Sequence, residues 1–356
     1  MPNSVSRGSG RYKLRPGKRK EWYLLIASII FVFLIGELIL HMMFSPAYQP
    51  TKYGWTVGAN RHTTRTVQDQ PGNYRTVRNE YFDHGFKRWG QLQTQRPSVL
   101  IIGDSFTEMV HVSNGEEWYS YLEKEYSHMN FFVYGGGGYG SLQEYMILDD
   151  YIDEIDPDVV IWQFCSNDYR NNSYENDRKY YPYNNFGVRP YFENQEIVYK
   201  MPMPFSLLRK YSRIADRLLV RYDAFQKAQL QAQSASHPNH HITKFERPKE
   251  KVPESAYWVT GEILKMARQR AGERPFFLLS TEPMTDKETL LCTKAGITCI
   301  RGVSEYLESK EAEGITVGVV NDGHWNLAGN RLVGEFLINY FKTYPNNNIV
   351  SDVGAN

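Results

Sequence analysis

Ser105 lies in Gly103-Asp104-Ser105-Phe106-Thr107, directly after the apolar run Ser98-Val99-Leu100-Ile101-Ile102. Such a run reads as a buried parallel strand. A serine just past its end presents a hydroxyl at the sheet edge, where a helix N-terminus favours negative charge. A hydroxyl becomes a nucleophile when a base removes its proton and preorganised donors meet the developing oxyanion. His324, in Asp322-Gly323-His324-Trp325-Asn326, is the candidate base, and Asp322 two residues earlier could hold its imidazole in the useful tautomer. Gly138, in Gly138-Tyr139-Gly140-Ser141-Leu142-Gln143, and Asn167, in Ser166-Asn167-Asp168, follow two further strands. The oxyanion hole read from these blocks comprises the backbone N–H groups of Ser105 and Gly138 and the side-chain amide of Asn167. Glycine lets backbone approach a substrate without obstruction, and losing one such donor typically costs about 2.7–4 kcal/mol.

Each block alone has a bland reading. A Gly-Asp-Ser turn can simply cap a helix, Asn167-Asp168 can be a turn after a strand, and His324 can be a solvated loop residue. Thr107 stands where Gly-x-Ser-x-Gly would need its second glycine, which disfavours an α/β-hydrolase nucleophile elbow. In the order Ser, Gly, Asn, His, however, the four blocks resemble those of the SGNH/GDSL hydrolase superfamily, over residues 98 to 340. The Gly-Tyr-Gly-Ser-x-Gln form of the second block and Phe-Cys-Ser-Asn-Asp of the third are similar to a bacterial, membrane-anchored branch.

The resemblance implies an α/β fold, an α/β/α sandwich with a central parallel sheet of flavodoxin-like type. It implies an acyl-enzyme on Ser105 formed from a short-acyl or carbohydrate ester, with no metal or organic cofactor. The Asp322-x-His324 spacing departs from the commoner Asp-x-x-His and resembles the Asp-x-His-Trp-Asn form of some cell-envelope acetyl-ester enzymes. A backbone carbonyl therefore stays open as the group that orients His324. Three functions fit: an ester hydrolase, an O-acyltransferase of envelope polysaccharide using the same triad, and a non-catalytic envelope scaffold. A scaffold has no need for Ser105 and His324 together. Arg189, Asp168 and Trp325 are candidate substrate contacts, since an arginine can bind carboxylate or phosphate bidentately; a structural ion pair is the alternative for Arg189. A neutral imidazole base predicts activity falling below about pH 6.5.

Other clusters carry less. Gly135, Gly137 and Gly140 match a dinucleotide-binding turn, but the acidic residue expected at the end of the next strand is replaced by Ser166-Asn167-Asp168. His237, His240 and His241 sit in a polar stretch without a neighbouring ligand at metal spacing. Glu116-Glu117 and Asp149-Asp150 are adjacent on predicted helices, so their side chains diverge.

The chain has 356 residues, 23% charged, with net charge +1, a balance that gives no sign of a nucleic-acid partner. Charge is concentrated at the front, where Arg7, Arg11, Lys13, Arg15, Lys18, Arg19 and Lys20 precede the apolar run Trp22–Phe44. These 23 residues suffice for a helix to cross a hydrocarbon core about 30 Å thick. The run is too long for a signal-peptide core, and Met42-Met43-Phe44-Ser45-Pro46 is a poor cleavage site. The expectation is a single-pass anchor with a cytoplasmic N-terminus and everything after Ser45 periplasmic or extracellular. Glu37 is the awkward residue, because a carboxyl within a span is costly unless it meets a partner.

The predicted organisation is a basic tail (1–20), an anchor (21–44), an irregular packing segment (45–97) in which Thr76-Val77-Arg78 is a short strand, a catalytic domain (98–345), and a tail (346–356). Strands are expected at 98–102, 130–134, 158–164, 275–280 and 297–300, with helices between them. An insertion over 169–250 breaks the rhythm directly after the third block, a position suited to a lid or substrate platform. With three cysteines, Cys292 and Cys299 could pair or remain buried thiols, and Cys165 reads as packing.

Overall fold

The computed structural model describes residues 16–44, 51–56, 58–180, 188–200, 205–235, 252–320 and 322–344. The basic residues Arg7, Arg11, Lys13 and Arg15, the three histidines of 237–241 and the tail 346–356 lie outside them. The chain divides into two units, one of Met1–Ala47 with Pro204–Leu230, the other of Tyr48–Met203 with Gln231–Asn356.

The larger unit is built on a parallel sheet. Strands β3 (Ser98–Gly103), β4 (Asn130–Gly135), β5 (Val159–Phe164), β8 (Phe276–Ser280) and β9 (Thr298–Ile300) pair in the order β4-β3-β5-β8-β9. All five fall where the apolar runs predict them. Side chains alternate between the two faces of a strand, and here both faces are buried. Leu100, Ile102, Phe132, Tyr134, Val160, Trp162 and Leu278 join one core with Leu142, Ile147 and Ile152 of α4 (Ser141–Ile155), Ile263 and Leu264 of α9 (Glu254–Ala271), and Cys292 of α10 (Asp286–Ala295). Val99, Ile101, Phe131, Val133, Ile161 and Phe277 join the other with Trp118 and Leu122 of α3 (Trp118–Glu125), Leu307 of α11 (Val303–Ala312), and Leu332, Val333 and Leu337 of α12 (Leu327–Thr343). Helices on both faces explain why these strands read as continuous apolar runs. The result is an α/β/α sandwich.

Two regions depart from expectation. Within 45–97, expected to be irregular, β1 (Arg61–Gln70) and β2 (Asn73–Tyr81) form an antiparallel hairpin. Its polar composition hid it, because only Val67, Val77 and a few neighbours on one face are buried while the other face is wet. Within the insertion, α5 (Asp168–Asn171), α6 (Tyr174–Tyr180) and the hairpin of β6 (Arg189–Glu193) with β7 (Glu196–Lys200) belong to this larger unit. Cys292 and Cys299 are joined by a disulfide with Cα atoms 6.0 Å apart, and Cys165 is a buried thiol.

The smaller unit holds α1 (Pro16–Met43), α7 (Ser206–Tyr211) and the start of α8 (Arg213–Ala235). Over Lys20–Met43, α1 is long and apolar enough to cross a membrane, with its side chains exposed. Glu37 has partners. Its carboxylate accepts the backbone N–H groups of Arg213 and Ile214, the latter at 3.2 Å, and the Ser212 hydroxyl at 3.0 Å. It thereby caps the N-terminus of α8, where unpaired N–H groups and the helix dipole favour an anion.

Candidate active site

The strand order brings the first three motif blocks to one edge. β3 lies between β4 and β5, all parallel, so the residues following their C-terminal ends converge where the connections diverge, the usual ligand crevice of an open α/β sheet. After β3, Asp104 accepts the Phe106 N–H at 2.9 Å and caps α2 (Ser105–Glu108). Ser105 is thus the first helical residue, its position fixed by Gln163 of β5, whose amide oxygen accepts from Asp104 N–H at 3.1 Å and Thr107 Oγ1 at 2.9 Å. Gly135 is required here, because a Cβ on it would sit 2.0 Å from the Glu108 nitrogen.

The Ser105 Oγ lies 2.7 Å from His324 Nε2. On the far side of the ring, His324 Nδ1 meets Asp322 Oδ1. Asp322 reaches His324 despite the short spacing, because Gly323 between them adopts φ +86°, in the left-handed region that favours glycine, and turns both side chains the same way. The loop is anchored at both ends. Val319 N–H donates to the His324 carbonyl at 2.8 Å, and Asn326 caps α12 through Gly329 N–H at 2.9 Å. The β1–β2 hairpin braces it further, with Asp69 accepting the Leu327 N–H at 3.2 Å and the Asn326 side-chain amide on its carbonyl.

Asp322 also has a partner that no motif announces. His111 Nε2 lies 3.2 Å from Asp322 Oδ2, and the His111 and His324 rings stack with centroids 4.7 Å apart. Burial opposes the charged form of Asp322, yet hydrogen bonds from His111 and His324 and their positive charge outweigh it, holding the carboxyl far below the usual carboxylate range. Ligand atoms of His111, Asp322 and His324 lie within 4.8 Å of one another, close enough for a metal ion. Both nitrogens of His324 are already engaged by Ser105 and Asp322, so such an ion would compete with the serine contact. His111→Ala is expected to lower kcat about 10- to 10²-fold with little change in KM, because a hydrogen bond to a charged group is worth about 1.5–3 kcal/mol. Steady-state kinetics checks this.

At the second block, Gly138 has φ +76°, and its carbonyl accepts from Arg189 Nη2 at 2.9 Å and Asn171 Nδ2 at 3.3 Å. Trp55 Nε1 donates to the Gly137 carbonyl at 3.0 Å. That carbonyl shares a planar trans peptide with the Gly138 N–H, so Trp55 holds the N–H pointing away from itself. Asn167 Nδ2 donates to the Tyr139 carbonyl at 3.2 Å, tying the third block to the second, and lies 3.5 Å from Asp168 Oδ1.

The three candidate substrate contacts are buried and engaged within the protein. Arg189 and Asp168 are 0% exposed and Trp325 only 4%. Arg189 is spent on Gly138, on Asp177 at 3.7 Å and on the Trp55 ring at 5.2 Å. Asp168 accepts the Cys165 N–H at 3.3 Å, and Trp325 packs edge-on against Phe106. Beneath them, Glu144 is buried, and desolvation, reinforced by Asp168 and Asp104, pushes its carboxyl well above the usual range. A raised folded value gives stability that is complete below about pH 4.3, the unfolded value, and is lost as pH rises through the folded one. Glu144→Gln, an uncharged near-isostere, is expected to raise Tm by several degrees at pH 8 and to leave it unchanged at pH 4. Thermal melts at the two pH values test this.

No family model and no curated relative matches the chain. Solved structures similar to it include a member of the lipolytic protein G-D-S-L family from Veillonella parvula, at 13% identity and TM-score 0.36, covering 69% of this chain and 98% of that one. An acetyl xylan esterase is similar at 12% identity and TM-score 0.35, covering 68% and 98%. Another, from the rumen bacterium Butyrivibrio proteoclasticus, is similar at 9% identity and TM-score 0.34, covering 69% and 63%.

Proposed function

We propose that the protein is a serine ester hydrolase of SGNH/GDSL type, acting on a short-acyl or carbohydrate ester. The observation that carries this is the alignment of Ser105 Oγ, His324 and Asp322, with 2.7 Å from hydroxyl to imidazole. His324 Nε2 takes the Ser105 proton as Oγ attacks the ester carbonyl. The oxyanion is met by the N–H groups of Ser105 and Gly138 and the Asn167 amide. Collapse expels the alcohol, which takes its proton from His324, and water then attacks the acyl-enzyme by the same route. Asp322 keeps His324 in the tautomer with Nε2 free to accept.

The reading includes a single-pass anchor, with the N-terminus cytoplasmic and the ester chemistry on the far side. The apolar length of α1 and Lys18, Arg19 and Lys20 before it support this, as does the Cys292–Cys299 disulfide, since such bonds persist in oxidising compartments. The test is turnover of chromogenic acetyl, butyryl and octanoyl esters by the full chain, with and without oligosaccharide acceptors. Hydrolysis that falls with acyl length supports the reading, and acyl transfer to an acceptor in preference to water would replace it with a transferase.

A further inference from the structure

α7 and the first half of α8 carry large apolar side chains that are exposed. Leu207 is 70% exposed, Tyr211 67%, Leu218 62%, Tyr222 50% and Phe225 57%. On α8, residues 218, 222 and 225 are spaced by four and three and share one stripe of the helix, while Leu207 and Tyr211 lie four apart on α7, before the extended Ser212. Beside it on α8 runs a second stripe, Arg213, Arg217 and Arg221, at intervals of four. The acidic side chains of this stretch, Asp216 and Asp223, are turned inward and buried, Asp223 against Arg209 at 2.6 Å. An outward face of leucine and aromatics flanked by basic residues is the composition of a helix lying in a lipid interface.

The place where α8 begins fits that environment. Its first N–H groups close on Glu37 of α1, Arg217 covers the Phe44 ring at 4.4 Å, and the Ile214 side chain reaches to Gly36. Glu37 lies six residues before Met43, the end of α1, so at 1.5 Å per residue it is about 9 Å below that end. Interfacial helices bury their apolar face about 5–10 Å below the headgroups. The same contact removes the cost of Glu37 within the span, since the carboxylate is satisfied by three donors.

We infer that α7 and the N-terminal half of α8 form an interfacial helix pair that lies on the outer leaflet of the membrane crossed by α1, its apolar stripe among the acyl chains and its basic stripe on anionic headgroups. This rests on the anchor reading above. The full chain is placed in vesicles of three parts POPC to one part POPG. Environment-sensitive fluorophores are attached to Leu218→Cys or, as the reference, to Phe33→Cys in the middle of α1. The expected result is that the label at 218 is quenched about twofold more by a headgroup-level nitroxide lipid than by a mid-chain one, with the reverse order at 33. A label at 33 that is quenched while that at 218 is not would overturn the inference and leave the anchor standing, the uncovered stripe then belonging to a protein partner or a second copy. If neither label is quenched, the anchor fails and the inference with it.

Discussion

Ser105→Ala and His324→Ala are each expected to lower kcat by about 10⁴-fold or more, and the double variant to be no slower than the worse single one. Nucleophile and base act as a unit. With Ser105 Oγ 2.7 Å from His324 Nε2, removing the imidazole leaves a hydroxyl of ordinary acidity, and removing the hydroxyl leaves a base with nothing to activate. Any residual rate would come from binding and from oxyanion donors that survive in all three variants. Both positions are partly open and neither fills the core, so the variants should fold. Chromogenic ester kinetics with circular dichroism separates lost chemistry from lost structure. Two single losses that multiply in the double variant would mean that the residues act independently, contrary to the geometry.

Asn167→Ala is expected to lower kcat by about 10²–10³-fold with little change in KM. Its amide is already tethered to the Tyr139 carbonyl at 3.2 Å, so it is held before substrate arrives and needs no reorganisation as charge develops. A donor of this kind acts on the tetrahedral oxyanion more than on the ground-state carbonyl, which puts the loss in kcat. If only KM moved, Asn167 would be a binding residue and the hole would consist of backbone N–H groups alone. Trp55 and Arg189 hold the neighbouring peptide, so this variant leaves the Gly138 donor in place.

The parallel sheet was legible because both its faces are buried and its strands are unbroken apolar runs. The first three motif blocks were legible because each follows a strand end, as Ser105 follows Gly103, whereas the fourth lies in the loop after α11 and was legible from its Asp-x-His-Trp-Asn pattern. What packs around them was not. The β1–β2 hairpin is mostly polar, and its contribution is a pair of contacts from Asp69 to a loop more than 250 residues away. Trp55 acts through one N–H on a glycine carbonyl, and His111 through one carboxylate oxygen, without a local pattern to announce either. Arg189 drew notice for its charge, and its burial under the glycine turn could come only from tertiary structure. Glu37 is the clearest case. In the sequence it is an unexplained acid in an apolar run, and its partners arrive from residues 212–214.

The central claim is that Ser105 becomes acylated, and the most direct measurement is intact and peptide mass spectrometry of the full chain after exposure to a serine-reactive fluorophosphonate. One adduct per chain is expected, on the peptide containing Ser105, formed far more slowly in His324→Ala. An adduct on another serine, or no adduct on a chain that still hydrolyses ester, would contradict it.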